Sequence, residues 1–170
     1  VSGGELARVL AAGGDAARVV FSGVGKRVAE MEAGLAAGIL CFNVESAAEL
    51  ARLAQVAARM GRRAPVSLRV NPHVDARTHP YIATGLAGSK FGIPHTEALA
   101  LYRHAATLPS IAVTGIDCHI GSQITDLGAL VEAATRVFEL ADLVEAAGIP
   151  LAHVDLGGGI GVRYRDEAVI

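Results

Sequence analysis

Five short apolar segments, each parted from the next by residues with helical spacing, constrain this chain more than any other feature. They are Arg18-Val19-Val20-Phe21, Ile39-Leu40-Cys41-Phe42-Asn43, Val66-Ser67-Leu68-Arg69-Val70-Asn71, the stretch 111–120, and Leu151-Ala152-His153-Val154-Asp155-Leu156. Between them the spacing predicts helices from Ser2 to Ala12, Lys26 to Ala37, Ser46 to about Met60, Glu97 to Ala106, and Leu127 to Ala147. Ser2 with Glu5, and Ser46 with Glu49, have the spacing of capping boxes. Gly38 and Gly148-Ile149-Pro150 supply stops. Strands that alternate with helices pair in parallel through right-handed crossovers, buried beneath the helices.

An open doubly wound sheet and part of a (β/α)8 barrel both satisfy this α/β pattern. Polar residues at successive strand ends favour the barrel: Asn43 and Glu45, Arg69 and Asn71, His119 and Ser122, Asp155 and Gly157. Barrel enzymes build their sites from such ends, and a complete barrel takes about 250 residues. A chain of 170 residues is therefore expected to hold part of one, spanning 1–170 as a partial domain. Val1-Ser2-Gly3-Gly4-Glu5 lacks an initiator Met and reads like a segment already inside a fold.

Composition removes several classes. Apolar residues make up 52% and charged residues 19%, enough to bury a core rather than remain disordered. A formal charge of -2 argues against an electrostatic nucleic-acid binder while leaving a local anion site open. No apolar run approaches the roughly 20 residues of a membrane-spanning helix. Two cysteines, Cys41 and Cys118, make no disulfide scaffold, and a reducing cytoplasm is the default expectation.

Gly23-Val24-Gly25-Lys26-Arg27 looks like the end of a phosphate loop but lacks the early glycine and the hydroxyl after the lysine, so Lys26 reads as a barrel-loop or helix-start cation, with an active-site role as the alternative. Gly157-Gly158-Gly159-Ile160-Gly161 is not a dinucleotide fingerprint. Glycines directly after a strand still make a credible anion cradle, because their backbone donors approach a phosphate closely. His119 has the position of a base, a ring-stacking partner or a metal ligand. Cys118 faces the opposite side of its strand and reads as core. His73, Asp75 and His79 lie in a long connection, with a spacing that favours loop ordering over metal binding. Arg69, at a buried strand end, needs an anion: phosphate, carboxylate or an internal ion pair. Lys90 fits a rim salt bridge.

Five blocks carry a resemblance: Ser2-Gly3-Gly4-Glu5-Leu6; Arg69-Val70-Asn71-Pro72; Thr84-Gly85 with Ser89-Lys90-Phe91-Gly92; His119-Ile120-Gly121-Ser122-Gln123; and Val154-Asp155-Leu156-Gly157-Gly158-Gly159. In this order they resemble the N-terminal barrel domain of the fold type III pyridoxal-phosphate-dependent decarboxylases, the alanine-racemase and ornithine-decarboxylase fold group, and within it the diaminopimelate decarboxylases. The resemblance implies a cofactor, pyridoxal 5'-phosphate, with His119 against its ring and Ser122 with Gly157, Gly158 and Gly159 around its phosphate. It implies Glu5 near the reacting end, Arg69 supporting the histidine and cofactor, and Lys90 as a rim support. No metal is implied.

The family's cofactor-bearing lysine precedes the first block and is expected upstream of Val1. Its Glu-Pro-Gly-Arg block and C-terminal β domain are expected downstream, so the 170 residues alone are expected to be inactive. The implied activity of the parent is decarboxylation of meso-2,6-diaminopimelate to L-lysine and carbon dioxide, in a cytoplasmic homodimer with a small amino acid as substrate and neither nucleic acid nor membrane as partner. Another basic amino-acid decarboxylase (for ornithine, arginine or carboxynorspermidine), and a non-catalytic binder of amino acid or cofactor, are the alternatives. A metal-dependent barrel lyase is a third, if the loop histidines meet an acidic ligand.

Overall fold

The computed structural model describes residues 1–74 and 91–163. Asp75, His79, Thr84, Gly85, Ser89 and Lys90 lie outside the described residues, and so does any metal grouping that would include them. Among the described residues no cluster of three metal-ligating side chains forms, and no helix is long and apolar enough to cross a membrane.

In chain order the elements are α1 (Gly3–Ala11), a 3-10 turn (Ala16–Arg18), β1 (Val20–Phe21), α2 (Val28–Ala37), β2 (Cys41–Val44), α3 (Ala47–Arg59) and β3 (Ala64–Asn71). The rest are β4 (Ile93–Pro94), α4 (His95–Thr107), β5 (Ile111–Asp117), α5 (Leu127–Ala146) and β6 (His153–Asp155). The five strand segments read from sequence are all present. The first is shorter than expected, because Arg18 closes the 3-10 turn instead of entering the sheet. The added strand β4 is a two-residue bridge to the end of β3.

Both capping boxes form only by half. Ser2 and Ser46 do accept the Glu5 and Glu49 amides, each at 3.2 Å. Neither glutamate reciprocates. Glu5 bonds the Ser2 hydroxyl at 2.9 Å, whereas Glu49 turns inward to Lys26 at 2.7 Å. A buried cation is a stronger partner for a carboxylate than one amide of a helix end. The return bond is instead made in α2, where Glu30 accepts the Arg27 amide at 2.9 Å and also the Gly3 amide at 2.9 Å, tying α1 to α2.

All sheet pairs are parallel, in the order β1-β2-β3-β5-β6. Phe42, Val44, Leu68 and Ile116 share one core with Leu50, Leu53 and Val56 of α3 and Val137 and Leu140 of α5. The helices therefore cover one face. On the other face Asn43, Ser67, Gly115 and His153 stand in register across four strands, and Arg69, Asp117 and Asp155 form the next row.

The curl of the sheet is visible in its cross-contacts. β2 and β6 are separated by two strands, so a flat sheet would hold them about 14 Å apart. Yet Cys41 Sγ lies 3.6 Å from His153 Nε2, and Asn43 Nδ2 reaches Asp155 Oδ2 at 3.5 Å. The inner face is thus concave, a half-barrel wall rather than an open doubly wound sheet. Gly115 makes room for this closure, since a Cβ there would overlap the His153 ring.

Candidate functional site

The carboxyl ends of the strands meet around a cavity of about 280 Å³, lined by Ser22, Arg69, Asp117, His119, Asp155 and Gly157 among others. They come from the ends of four strands, β1, β3, β5 and β6, and the two-residue period of the strands aims Arg69, Asp117 and Asp155 inward together. A larger cavity, about 560 Å³, opens outside the wall, between the residues after β2 and α4. It lacks this convergence of polar strand ends.

Arg69 takes the internal ion pair among the options its sequence left open. Its Nη1 lies 2.9 Å and 3.1 Å from the two Glu45 oxygens, with side chains only 13% and 5% exposed. Its Nη2 reaches the His119 carbonyl at 3.5 Å, and its guanidinium stands 6.0 Å from the Phe91 ring centre. The guanidinium therefore holds the main chain that carries His119. Burial, then the Arg69 charge, lowers the pKa of His119 against the pull of Asp155 and Glu45, which favours a neutral ring. Its Nδ1 accepts the Gly158 amide at 3.4 Å, which places the ring proton on Nε2. Cys118 is buried against the Leu156 carbonyl, and burial pushes its thiol up to about 12. It is core, as its strand position implies.

The triple glycine forms a turn beside the His119 ring. Gly157 and Gly159 adopt φ of 72° and 95°, which side chains tolerate poorly. A Cβ at Gly157 would lie 2.5 Å from the Cys118 carbonyl, and one at Gly159 would overlap the Gly121 carbonyl. Gly158 meets nothing within 4 Å and faces open space. Ser122 is exposed alongside, its Cα 3.2 Å from the position of a Gly159 Cβ. Glycines backed this tightly on one side and open on the other suit a phosphate, and the neutral imidazole next to them suits a flat ring. The residues present thus fit a phosphorylated aromatic cofactor.

Behind the turn lies a polar chain. Ser22 Oγ accepts from Asn43 Nδ2 at 2.8 Å, the same nitrogen is 3.5 Å from Asp155 Oδ2, and Asp155 Oδ1 accepts the Gly157 amide at 2.8 Å. Asp117, 3% exposed, stands in register with Asp155. Burial, reinforced by Asp155 and Glu45 against Arg69 and Lys26, raises its carboxyl to about 7.

His119, Ser122, Gly157, Gly158, Gly159 and Arg69 are thus brought together. Glu5 sits exposed in the first turn of α1, bonded to Ser2, and does not line the cavity. Lys26 is a buried tie, its Nζ at 2.8, 2.6 and 2.7 Å from the Gly23 carbonyl, the Asn43 carbonyl and Glu49. His73 is held by its main chain: its amide donates to Asn71 Oδ1 at 2.9 Å and Arg136 donates to its carbonyl at 3.1 Å. Sequence reasoning marked Glu45, Asn43 and Asp155 only as strand-end polar residues and passed over Ser22 and Asp117. The two-residue alternation from Arg69 and Asp155 was the signal that would have found Asp117.

Comparison with known proteins gives the same direction. Residues 1–169 match the family model of the pyridoxal-dependent decarboxylase, pyridoxal binding domain. A diaminopimelate decarboxylase of Neisseria meningitidis serogroup A is 63% identical over 169 residues, 99% of this chain and 42% of its own length. The chain therefore spans about two fifths of that relative. A Helicobacter pylori diaminopimelate decarboxylase complexed with L-lysine superposes with a TM-score of 0.97 at 45% identity, covering 100% of this chain and 43% of its own. An SrLDC mutant in complex with PLP superposes at 0.79 with 26% identity, covering 95% and 39%.

Proposed function

The chain belongs to the pyridoxal-dependent decarboxylase family, and from that membership we propose that the complete protein decarboxylates meso-2,6-diaminopimelate to L-lysine and carbon dioxide. The observation that carries the site reading is the seating of the neutral His119 ring on the glycine turn through Gly158. The choice of substrate rests on the named relatives.

Pyridoxal phosphate, when bound, supplies an electron-withdrawing ring that stabilises the negative charge left at the substrate Cα as carbon dioxide departs. This chain's residues bind and orient. The Ser122 hydroxyl and the Gly159 amide, the one amide of the turn not donated to Asp155 or His119 among the described residues, would hold the phosphate. His119, uncharged, would lie against the ring and limit its tilt, which keeps the breaking bond aligned. Arg69, engaged by Glu45, positions the His119 main chain rather than meeting substrate. We assign Lys90 to the rim on the resemblance alone, and give Glu5, exposed on α1 and bonded to Ser2, no place in the cavity. The same reading makes the complete protein a cytoplasmic homodimer.

The test is direct. The complete protein, loaded with pyridoxal phosphate, is given meso-diaminopimelate, ornithine, arginine or lysine in separate reactions, and carbon dioxide and amine products are measured. Lysine formed from diaminopimelate, with the other three slower by a factor of ten or more, supports the proposal. A preference for any of the other three overturns the substrate assignment, and cofactor binding without turnover of any substrate favours a binding protein.

A further inference from the structure

The segment after His119 is joined to the segment after the glycine turn by a contact that no role described so far requires. Gln123 Oε1 accepts the Val162 amide at 2.9 Å, and its Nε2 donates to the Val162 carbonyl at 3.3 Å. One side-chain amide thus meets both main-chain groups of one residue, and a swapped orientation would set donor against donor. Next to it, the Ile124 amide donates to the Gly159 carbonyl at 2.8 Å and the Gly161 amide to the Ile124 carbonyl at 2.9 Å. Residues 123–124 and 159–162 therefore make a short parallel ladder outside the sheet, continued by the Gln123 side chain.

Two further facts set Gln123 apart. Its φ is 56°, and His73 is the only other non-glycine with positive φ among the described residues. A side chain held there is strained. Glycine would relieve that strain but would remove the amide. The strained backbone also lies between Ser122 and the ladder that holds Gly159, the two places where a phosphate would be gripped.

We propose that Gln123 is a positioning residue that presets the phosphate cradle by clamping the chain after Gly159 to the segment carrying Ser122. The proposal rests on the pyridoxal-phosphate reading above. Without the clamp the glycine turn still forms, since Asp155 and the Ile124 ladder remain, but the ladder loses its outer tie at Val162 and holds Ser122 less firmly against the turn. The loss falls on the phosphate and spares the ring.

Phosphate and ring can be weighed separately. Binding of pyridoxal phosphate and of pyridoxal, which lacks the phosphate, is measured on the complete apo-protein by absorbance and by equilibrium dialysis. The ratio of the two affinities is then compared among wild type, Gln123→Ala and Gln123→Gly. We expect the ratio to fall by about tenfold in both variants, the effect of removing about 1.4 kcal/mol of preorganised contact from the phosphate alone. Affinity for pyridoxal should stay within about twofold. Thermal unfolding of the apo-protein is read in parallel: Gln123→Gly should be at least as stable as Gln123→Ala, because it relieves the strained φ while losing the same clamp.

An unchanged ratio in both variants overturns the positioning role. Equal losses for both ligands, with a lowered unfolding temperature, make Gln123 a general structural residue and overturn it too. If wild-type protein shows no preference for pyridoxal phosphate over pyridoxal, the cofactor reading itself fails, and that outcome is separate from the behaviour of the variants.

Discussion

Lys26 offers the sharpest test of what holds the strand ends together. Its side chain is 1% exposed and that of Glu49 is 6% exposed, so the ion pair between them is fully withdrawn from water. The ammonium also donates to the carbonyls of Gly23 and Asn43, next to the Ser22 side chain that lines the cavity and the Asn43 side chain bonded to it. Lys26→Met keeps the length of the stem and removes three donors. Breaking one side of a buried pair destabilises by about 3–5 kcal/mol, because the partner charge is left without compensation. Two stranded carbonyls argue for the upper part of that range. One relief is available: Glu49 can take up a proton, and burial already pushes its carboxyl above the usual range. The loss should therefore be larger at pH 8 than at pH 5. Denaturant unfolding of the complete apo-protein measures it, with Glu49→Gln and the double variant completing a cycle. The double variant should be less destabilised than the sum of the singles by 1 kcal/mol or more. A loss in Lys26→Met below about 1 kcal/mol, or strict additivity in the cycle, would refute the assignment of this tie.

Other outcomes can be checked on the same protein. His119→Ala should slow single-turnover decarboxylation by about a hundredfold through misplacement of the ring, with smaller loss of cofactor occupancy; unchanged rate and occupancy would remove the ring contact. Gly159→Ala combines a φ of 95° with overlap on the Gly121 carbonyl, so it should destabilise the apo-protein by about 2 kcal/mol or more and weaken phosphate binding; a neutral substitution would show that the turn adapts. Asp117 has a folded-state pKa raised to about 7, so the native protein binds more protons than the unfolded chain between about pH 4 and pH 7 and loses stability as pH rises through that window. Asp117→Asn should flatten that part of the stability–pH curve, and identical curves for the two proteins would contradict the buried, protonated state.

The fold was legible because its signals are local. Apolar runs such as Val66 to Asn71 sit between helices whose stops, Gly38 among them, can be read residue by residue, and those helices appear within a residue or two of their expected ends. Capping was less legible. Ser46 and Glu49 have the spacing of a box, but spacing says nothing of the buried ammonium 23 residues earlier in the chain that claims the glutamate. The same blindness to distant partners explains Lys26, whose place at a helix start says nothing of the Asn43 carbonyl and the Glu49 carboxylate that enclose it.

The site divides along the same line. His119, Ser122 and Gly157 to Gly159 were readable because each stands in a short block directly after a strand, where glycine and polar residues have few structural reasons to gather. Arg69 was readable as a charge that needs a partner, but three anions were open to it. Only the register of β3 beside the end of β2 selects Glu45, which the notion of a phosphate-binding arginine would have missed. Asp117 was hidden differently. It is flanked by Ile116 and Cys118, both core residues, and a lone acid in an apolar run reads as the end of a strand. The parallel register sets it beside Asp155, whose charge adds to burial in raising the Asp117 carboxyl. Charges near a barrel axis are thus paired by register and curl, both properties of the whole sheet. A reading that follows the two-residue period inward from each strand end, before choosing partners, would recover the row Arg69, Asp117 and Asp155 from sequence alone.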